Sequence, residues 1–130
     1  MNVVDSSAWL EYLSDSPNSE HFADAISDTG NLLVPTVVIY EVFKQILRQK
    51  GESEALTAAG ILMSGDIIEL DTTLSMNAAK MSHELKLPMA DSIILATARR
   101  HGATIWTQDR DFEGLENVNY FEKSKGETDG

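Results

Sequence analysis

Four acidic residues, Asp5, Glu41, Asp91 and Asp109, each stand next to a junction between an apolar run and a helical segment. Asp5 follows Val3-Val4 and Asp109 follows Ile105-Trp106; Glu41 lies early in a helix after one strand, and Asp91 opens a helix that leads back to another. In a parallel α/β sheet, where ligands bind at the carboxyl edge, these positions fall on one edge. Carboxylates gathered there repel one another unless a cation neutralises them. With no Cys and only scattered histidines at 21, 83 and 101, the donors are hard oxygens, which suit Mg2+ or Mn2+ rather than zinc. Taken singly, each acid has a plainer reading. Asp5 before Ser6-Ser7-Ala8 reads as a helix N-cap, and Glu41, four residues from Gln45 and three from Lys44, reads as an exposed partner of Lys44.

The elements that must position these residues are legible as strand and helix in alternation. Pro88 to Gly102 reads as a helix with Asp91 in its first turn, Ile93, Ile94, Thr97 and Ala98 on an apolar face, Arg99 and Arg100 at the negative end and Gly102 as the stop. Ala103 to Trp106 then reads as a short buried strand. Earlier strands are expected at Val3-Val4, Asn31 to Val34 and Ile67 to Leu70, and a last one around Val118 to Phe121. Helices are expected between them: Ala8 to Leu13, a short helix from Pro17 that ends at Gly30, Thr36 to Lys50, and Glu52 to Met63. Another is capped by Asp71 or Thr72. Their inward faces are Ile39, Val42, Phe43, Ile46 and Leu47 in the first long helix, Ala55, Leu56, Ala59 and Leu62 in the next, and Leu74, Ala78, Met81 and Leu85 in the third. Met76 and Met81 read as packing. This pattern predicts an α/β fold with helices on both faces of a sheet.

The chain has 130 residues, 42% of them hydrophobic, which is enough for one core. The domain is expected over 1–122, with a polar, frayed tail over 123–130. No apolar run nears the roughly 18 residues of a membrane span and no basic leader precedes the first strand, so a cytoplasmic protein with no membrane contact is expected. Ten Lys and Arg against 21 Asp and Glu give a net charge of -11. That balance argues against a broad nucleic-acid surface. It fits a metal-binding carboxylate cluster, a basic protein partner or a surface adapted to salt.

Four segments together carry a resemblance. They are Val3 to Trp9 (Val-Val-Asp-Ser-Ser-Ala-Trp), Ile39 to Val42 around Glu41, Leu87 to Ala98 around Asp91, and Trp106 to Phe112 (Trp-Thr-Gln-Asp-Arg-Asp-Phe). In this order and spacing they resemble a PIN domain, of the VapC-type ribonuclease toxins of prokaryotic toxin and antitoxin pairs. The resemblance covers nearly the whole chain. It implies a three-layer α/β/α sandwich with a mostly parallel five-stranded sheet, and one or two Mg2+ or Mn2+ ions held by Asp5, Glu41, Asp91 and Asp109. It also implies metal-dependent cleavage of RNA without a side-chain nucleophile, a homodimer, and inhibition by a cognate antitoxin. Asp5 and Asp91 match the family's leading ligand positions; Glu41 and Asp109 match its second and fourth acids, with Asp111 a lesser candidate. Ser7 and Thr107 match small hydroxyl positions that orient carboxylates. Lys44, Arg48 and Arg110 are the cations near enough in sequence to meet RNA phosphates, although a solvated face is the safer reading for the first two.

Two other classes compete. A magnesium-dependent phosphoacceptor signalling domain wants a Lys just after a late strand, and after Asp91 the only lysines are Lys123 and Lys125. A catalytically silent module that keeps the fold for protein binding is disfavoured because no site acid is missing.

Overall fold

A computed structural model describes residues 1–124. Five strands form one parallel sheet: β1 (Asn2–Val4), β2 (Leu32–Pro35), β3 (Asp66–Ile68), β4 (Thr104–Thr107) and β5 (Val118–Tyr120), in the order β3-β2-β1-β4-β5. Six helices, α1 (Ser6–Leu13), α2 (Ser19–Ser27), α3 (Thr36–Lys50), α4 (Glu52–Leu62), α5 (Thr72–Leu85) and α6 (Met89–His101), complete the expected α/β/α sandwich. From β1 the chain builds outward through β2 and β3, then returns to the other side of β1 with β4 and β5. Such a reversal opens a crevice at the carboxyl ends of the two strands that flank it, here β1 and β4. The register pairs Val4 with Trp106, and the Asp5 N–H continues the ladder to the Trp106 carbonyl at 3.1 Å.

The central strands are short, apolar and buried on both faces, as parallel strands covered by helices must be. Helix α6 is buried over every residue from Asp91 to Ala98, more than the single face its sequence pattern predicts. The cause is its position: Ile94, Leu95 and Ala98 join the main core with β1, β2 and β4, while Ile93 and Ala96 form a second cluster with Leu74 and Ala78 of α5. Because α5 packs on α6 rather than on the sheet, its buried stripe is narrow. Met81 sits at its rim, and Leu85 and Met76 are exposed, contrary to the inward and packing roles expected of them.

Helix α3 spans the expected residues, and its buried line is Val38, Val42 and Ile46 with Ile39 and Phe43 partly covered; Leu47 is exposed. In α4 the buried residues are Ala55, Ala58 and Leu62, and Leu56 is exposed. Helix α2 starts at Ser19 rather than at Pro17 and ends at Ser27, leaving Gly30 in a separate 3-10 turn over Thr29–Asn31. Strand β3 stops at Ile68, because its register with β2 ends at the Pro35–Ile68 pair. Asp71 caps α5 by accepting the Leu74 N–H at 2.8 Å, which holds its carboxyl below the usual range. No helix among the described residues is long and apolar enough to cross a membrane. Most of the expected tail, residues 125–130, lies outside the described residues.

Candidate metal centre

Asp5 leaves β1 at the point where α1 begins, and its side chain caps that helix as its sequence position suggests. Oδ1 accepts the Ala8 N–H at 2.9 Å as an N-cap. The same carboxylate takes the Ser7 hydroxyl at 2.9 and 3.1 Å and, on Oδ2, the Thr107 hydroxyl at 2.7 Å. Asp5 is 2% exposed. Burial pushes its carboxyl up to about 6, against the hydrogen bonds from Thr107, Ala8 and Ser7, with Asp109 adding repulsion.

Thr107 ends β4 and turns the chain toward the acids. Its oxygen accepts the Asp109 N–H at 2.9 Å, and Asp109 Oδ1 in turn accepts the Asp111 N–H at 2.9 Å, opening the 3-10 turn Arg110–Phe112. Phe112 is fully buried and anchors that turn in the core. Asp91 meets the turn from the first turn of α6. Carboxylate oxygens of Asp91, Asp109 and Asp111 all lie within 4.8 Å of one another. Burial first, then the Asp109 charge, a hydrogen bond with Asp111 and the Asp5 charge push Asp91 up to about 8.

Of the four leading acids, then, Asp91 and Asp109 share the tight cluster with Asp111, the lesser candidate, and the charge of Asp5 acts on Asp91. Glu41 stands apart from the cluster. It is half-buried on α3 and accepts the Ser6 hydroxyl on Oε1 at 2.6 Å, which ties α3 to the start of α1. The expected ion pair with Lys44 is not formed; Lys44 Nζ lies 5.7 Å from the centre of the Tyr40 ring. Ser6 had no signal in the sequence, since its partner is 35 residues away.

A groove of about 1220 Å3 opens from Ser7 and Asp109 and runs along α1 toward α3 and α4. Its cations include Lys50 and Arg110, and neither Lys44 nor Arg48 lines it. Arg48 instead donates to Gln45 at 2.7 Å. Arg110 is exposed and 3.6 Å from Glu122, an ion pair too open to fix either side chain. The groove wall also carries Glu11 and Gln108, both buried and neither singled out by sequence reasoning; the available signal was a Glu set inside the apolar run Trp9-Leu10-Glu11-Tyr12-Leu13.

The donor set fits a hard divalent cation. Three carboxylates gathered together, two of the nearby acids pushed toward their neutral forms and no nitrogen or sulfur donor in the cluster form a site whose repulsion a cation would relieve.

Comparison with known proteins agrees with this architecture. The family model described as PIN domain matches residues 3–117. Among solved structures, a toxin-antitoxin complex from Klebsiella pneumoniae is similar at 21% identity with a TM-score of 0.79, over 95% of this chain and 100% of that one. The Sarcin-Ricin loop cleaving toxin VapC20 of Mycobacterium tuberculosis is similar at 18% identity and a TM-score of 0.76, over 91% and 97%. The DNA-bound VapBC of Salmonella typhimurium is similar at 15% identity and 0.71, over 93% and 96%. No curated protein sequence matches the chain.

Proposed function

The chain belongs to the PIN domain family, and we propose that it is a VapC-like toxin: a ribonuclease that uses Mg2+ or Mn2+ and is held in check by a cognate antitoxin. The observation that carries the reading is the acid cluster at the crevice between β1 and β4, in a fold shared with a toxin described as cleaving the Sarcin-Ricin loop. Structures of toxin-antitoxin complexes among the similar folds support the antitoxin partner. A homodimer and a cytoplasmic location complete the reading.

In this scheme Asp91, Asp109 and Asp111 would hold the cation with Asp5 beneath them. When bound, the ion supplies an acidified water for in-line attack on a phosphodiester and positive charge to offset the leaving oxygen. The chain's own residues do the rest. Thr107 and Ser7 keep the Asp5 carboxylate in one orientation, and the 107–111 turn delivers Asp109 and Asp111 as a unit. Glu41, held by Ser6 on the facing helix, reaches the centre through solvent or substrate rather than by direct contact. Lys50 and Arg110, on the groove wall, are cations that would meet phosphates of the RNA.

The deciding experiment is cleavage of total and defined RNAs by purified protein, freed of any copurified partner, with Mn2+, Mg2+ or EDTA and beside Asp91→Asn. Metal-dependent cutting that is lost in the variant is expected. Silence from folded protein with both metals would overturn the nuclease reading in favour of a catalytically silent binding module.

A further inference from the structure

Three residues beside the groove close a hydrogen-bonded ring. The Glu11 carboxylate on α1 accepts the Asn18 backbone N–H on Oε2 at 2.8 Å and the Gln108 amide on Oε1 at 3.1 Å. Asn18 Nδ2 donates to Gln108 Oε1 at 3.0 Å and to the Glu122 carbonyl at 2.9 Å. All three residues are buried: Glu11 is 6% exposed, Asn18 7% and Gln108 5%. Burying a carboxylate is costly unless its oxygens are satisfied, and an apolar residue of similar size would fill the space without that cost. What the ring adds is direction. Glu11 and the Glu122 carbonyl are fixed acceptors at its two ends, so only one orientation of each amide satisfies every partner. Gln108 is thereby locked, and Gln108 lies between Thr107 and Asp109.

We propose that Glu11 is a positioning residue of the acid site: through Gln108 it holds the 107–111 turn so that Asp109 and Asp111 stay against Asp91 despite their mutual repulsion. Thr107 pins the turn to Asp5 on one side, and the ring pins it to α1 and the segment before α2 on the other. The consequence for metal affinity rests on the reading of the site proposed above; the consequence for the turn does not.

The donor order of the ring supplies the test. In Glu11→Gln the new amide must turn its oxygen to the Asn18 N–H, which forces Gln108 to flip and sets its NH2 against Asn18 Nδ2. The exchanged pair Glu11→Gln with Gln108→Glu restores a full set of donors and acceptors, because the carboxylate then at position 108 accepts from both amides. Hydrogen exchange at the Asp109 and Asp111 amides, measured by NMR in metal-free buffer, reads the turn directly; Mn2+ titration of the same proteins reads the site. Glu11→Gln is expected to speed exchange at both amides and weaken Mn2+ binding about tenfold, the scale of lost support for a metal ligand. The exchanged pair is expected to return both to within about twofold of wild type. Glu54→Gln, which removes the same charge from the exposed wall of the groove, is expected to change neither. Gln108→Ala, expected to behave like Glu11→Gln, takes its place if that variant does not fold. Wild-type exchange rates in Glu11→Gln or Gln108→Ala, or an exchanged pair no better than the single variant, would overturn the proposal. A wild-type protein that binds no Mn2+ would remove the metal reading, while the exchange rates still decide the role of Glu11.

Discussion

The Thr107 hydroxyl donates to Asp5 Oδ2 at 2.7 Å, and its oxygen accepts the Asp109 backbone N–H at 2.9 Å. One fully buried side chain thus joins the ends of β1 and β4 and fixes two acids that are 104 positions apart in the chain. Thr107→Val keeps the volume and removes both bonds. It is expected to cost about 2 kcal/mol of folding stability, because a buried carboxylate loses a donor and a backbone N–H loses its acceptor. Urea denaturation checks the stability, and Mn2+ titration is expected to show weaker binding beside it.

Asp91 and Asp5 are both pushed above the ordinary carboxylate value, to about 8 and about 6. An acid whose pKa is raised by folding binds its proton more tightly in the native state, so its contribution to stability is greatest below about pH 4 and is lost as pH rises. For Asp5 the loss runs from about pH 4 to about pH 6; for Asp91 it continues to about pH 8. Without divalent ions, the wild type is therefore expected to lose stability relative to Asp91→Asn from about pH 4 to about pH 8. Millimolar Mg2+ or Mn2+ is expected to close that gap by binding the native, ionised cluster. Thermal melts of both proteins over this pH range, with and without metal, measure it.

Removal of a cluster carboxylate also acts on the proposed reaction. Asp91→Asn is expected to lower RNA cleavage by about a hundredfold or more, since the charge stabilisation supplied at such a site is worth several kcal/mol. Asp111→Asn is expected to fall in the same direction, because its carboxylate shares the cluster with Asp91 and Asp109. Initial rates on a defined RNA compare them. Full activity in Asp111→Asn would place the cation on the Asp5 side instead.

Glu41 depends on Ser6 for its position. Ser6→Ala is expected to reduce cleavage about tenfold without a matching loss of stability, the scale seen when a supporting partner of a metal site is removed. Parallel cleavage assays and denaturation curves separate the two effects.

Gly65 packs where a side chain cannot. A Cβ there would lie 2.9 Å from both the Leu32 carbonyl oxygen and Val34 Cγ2, on the strand next to β3. Gly65→Ala is expected to destabilise the protein by about 1 to 3 kcal/mol, the usual range for overpacking a close contact, with metal binding intact. Denaturant midpoints check it.

The sequence by itself determined the elements and their order. Apolar runs bounded by turn residues marked the strands, 3.6-residue periodicity marked the helices, and local capping chemistry narrowed the α5 cap to Asp71 or Thr72 and placed Gly102, because all these signals act over a few residues. It also led to Asp5, Glu41, Asp91 and Asp109 at one sheet edge, since alternating strands and helices bring every strand end to the same side, and Ser6, next to Asp5, bonds Glu41. Tertiary structure decided what depends on distant partners. Whether Leu47, Leu56, Met76 and Leu85 were covered depended on which helix packed against which, and a helical period does not say how wide the covering neighbour is. Asp111 in place of Glu41 within the tight cluster was a matter of a single turn's geometry after β4. The Ser6–Glu41 bond and the Glu11–Asn18–Gln108 ring join residues 7 to 97 positions apart, and such pairings leave no local pattern in the chain that could announce them.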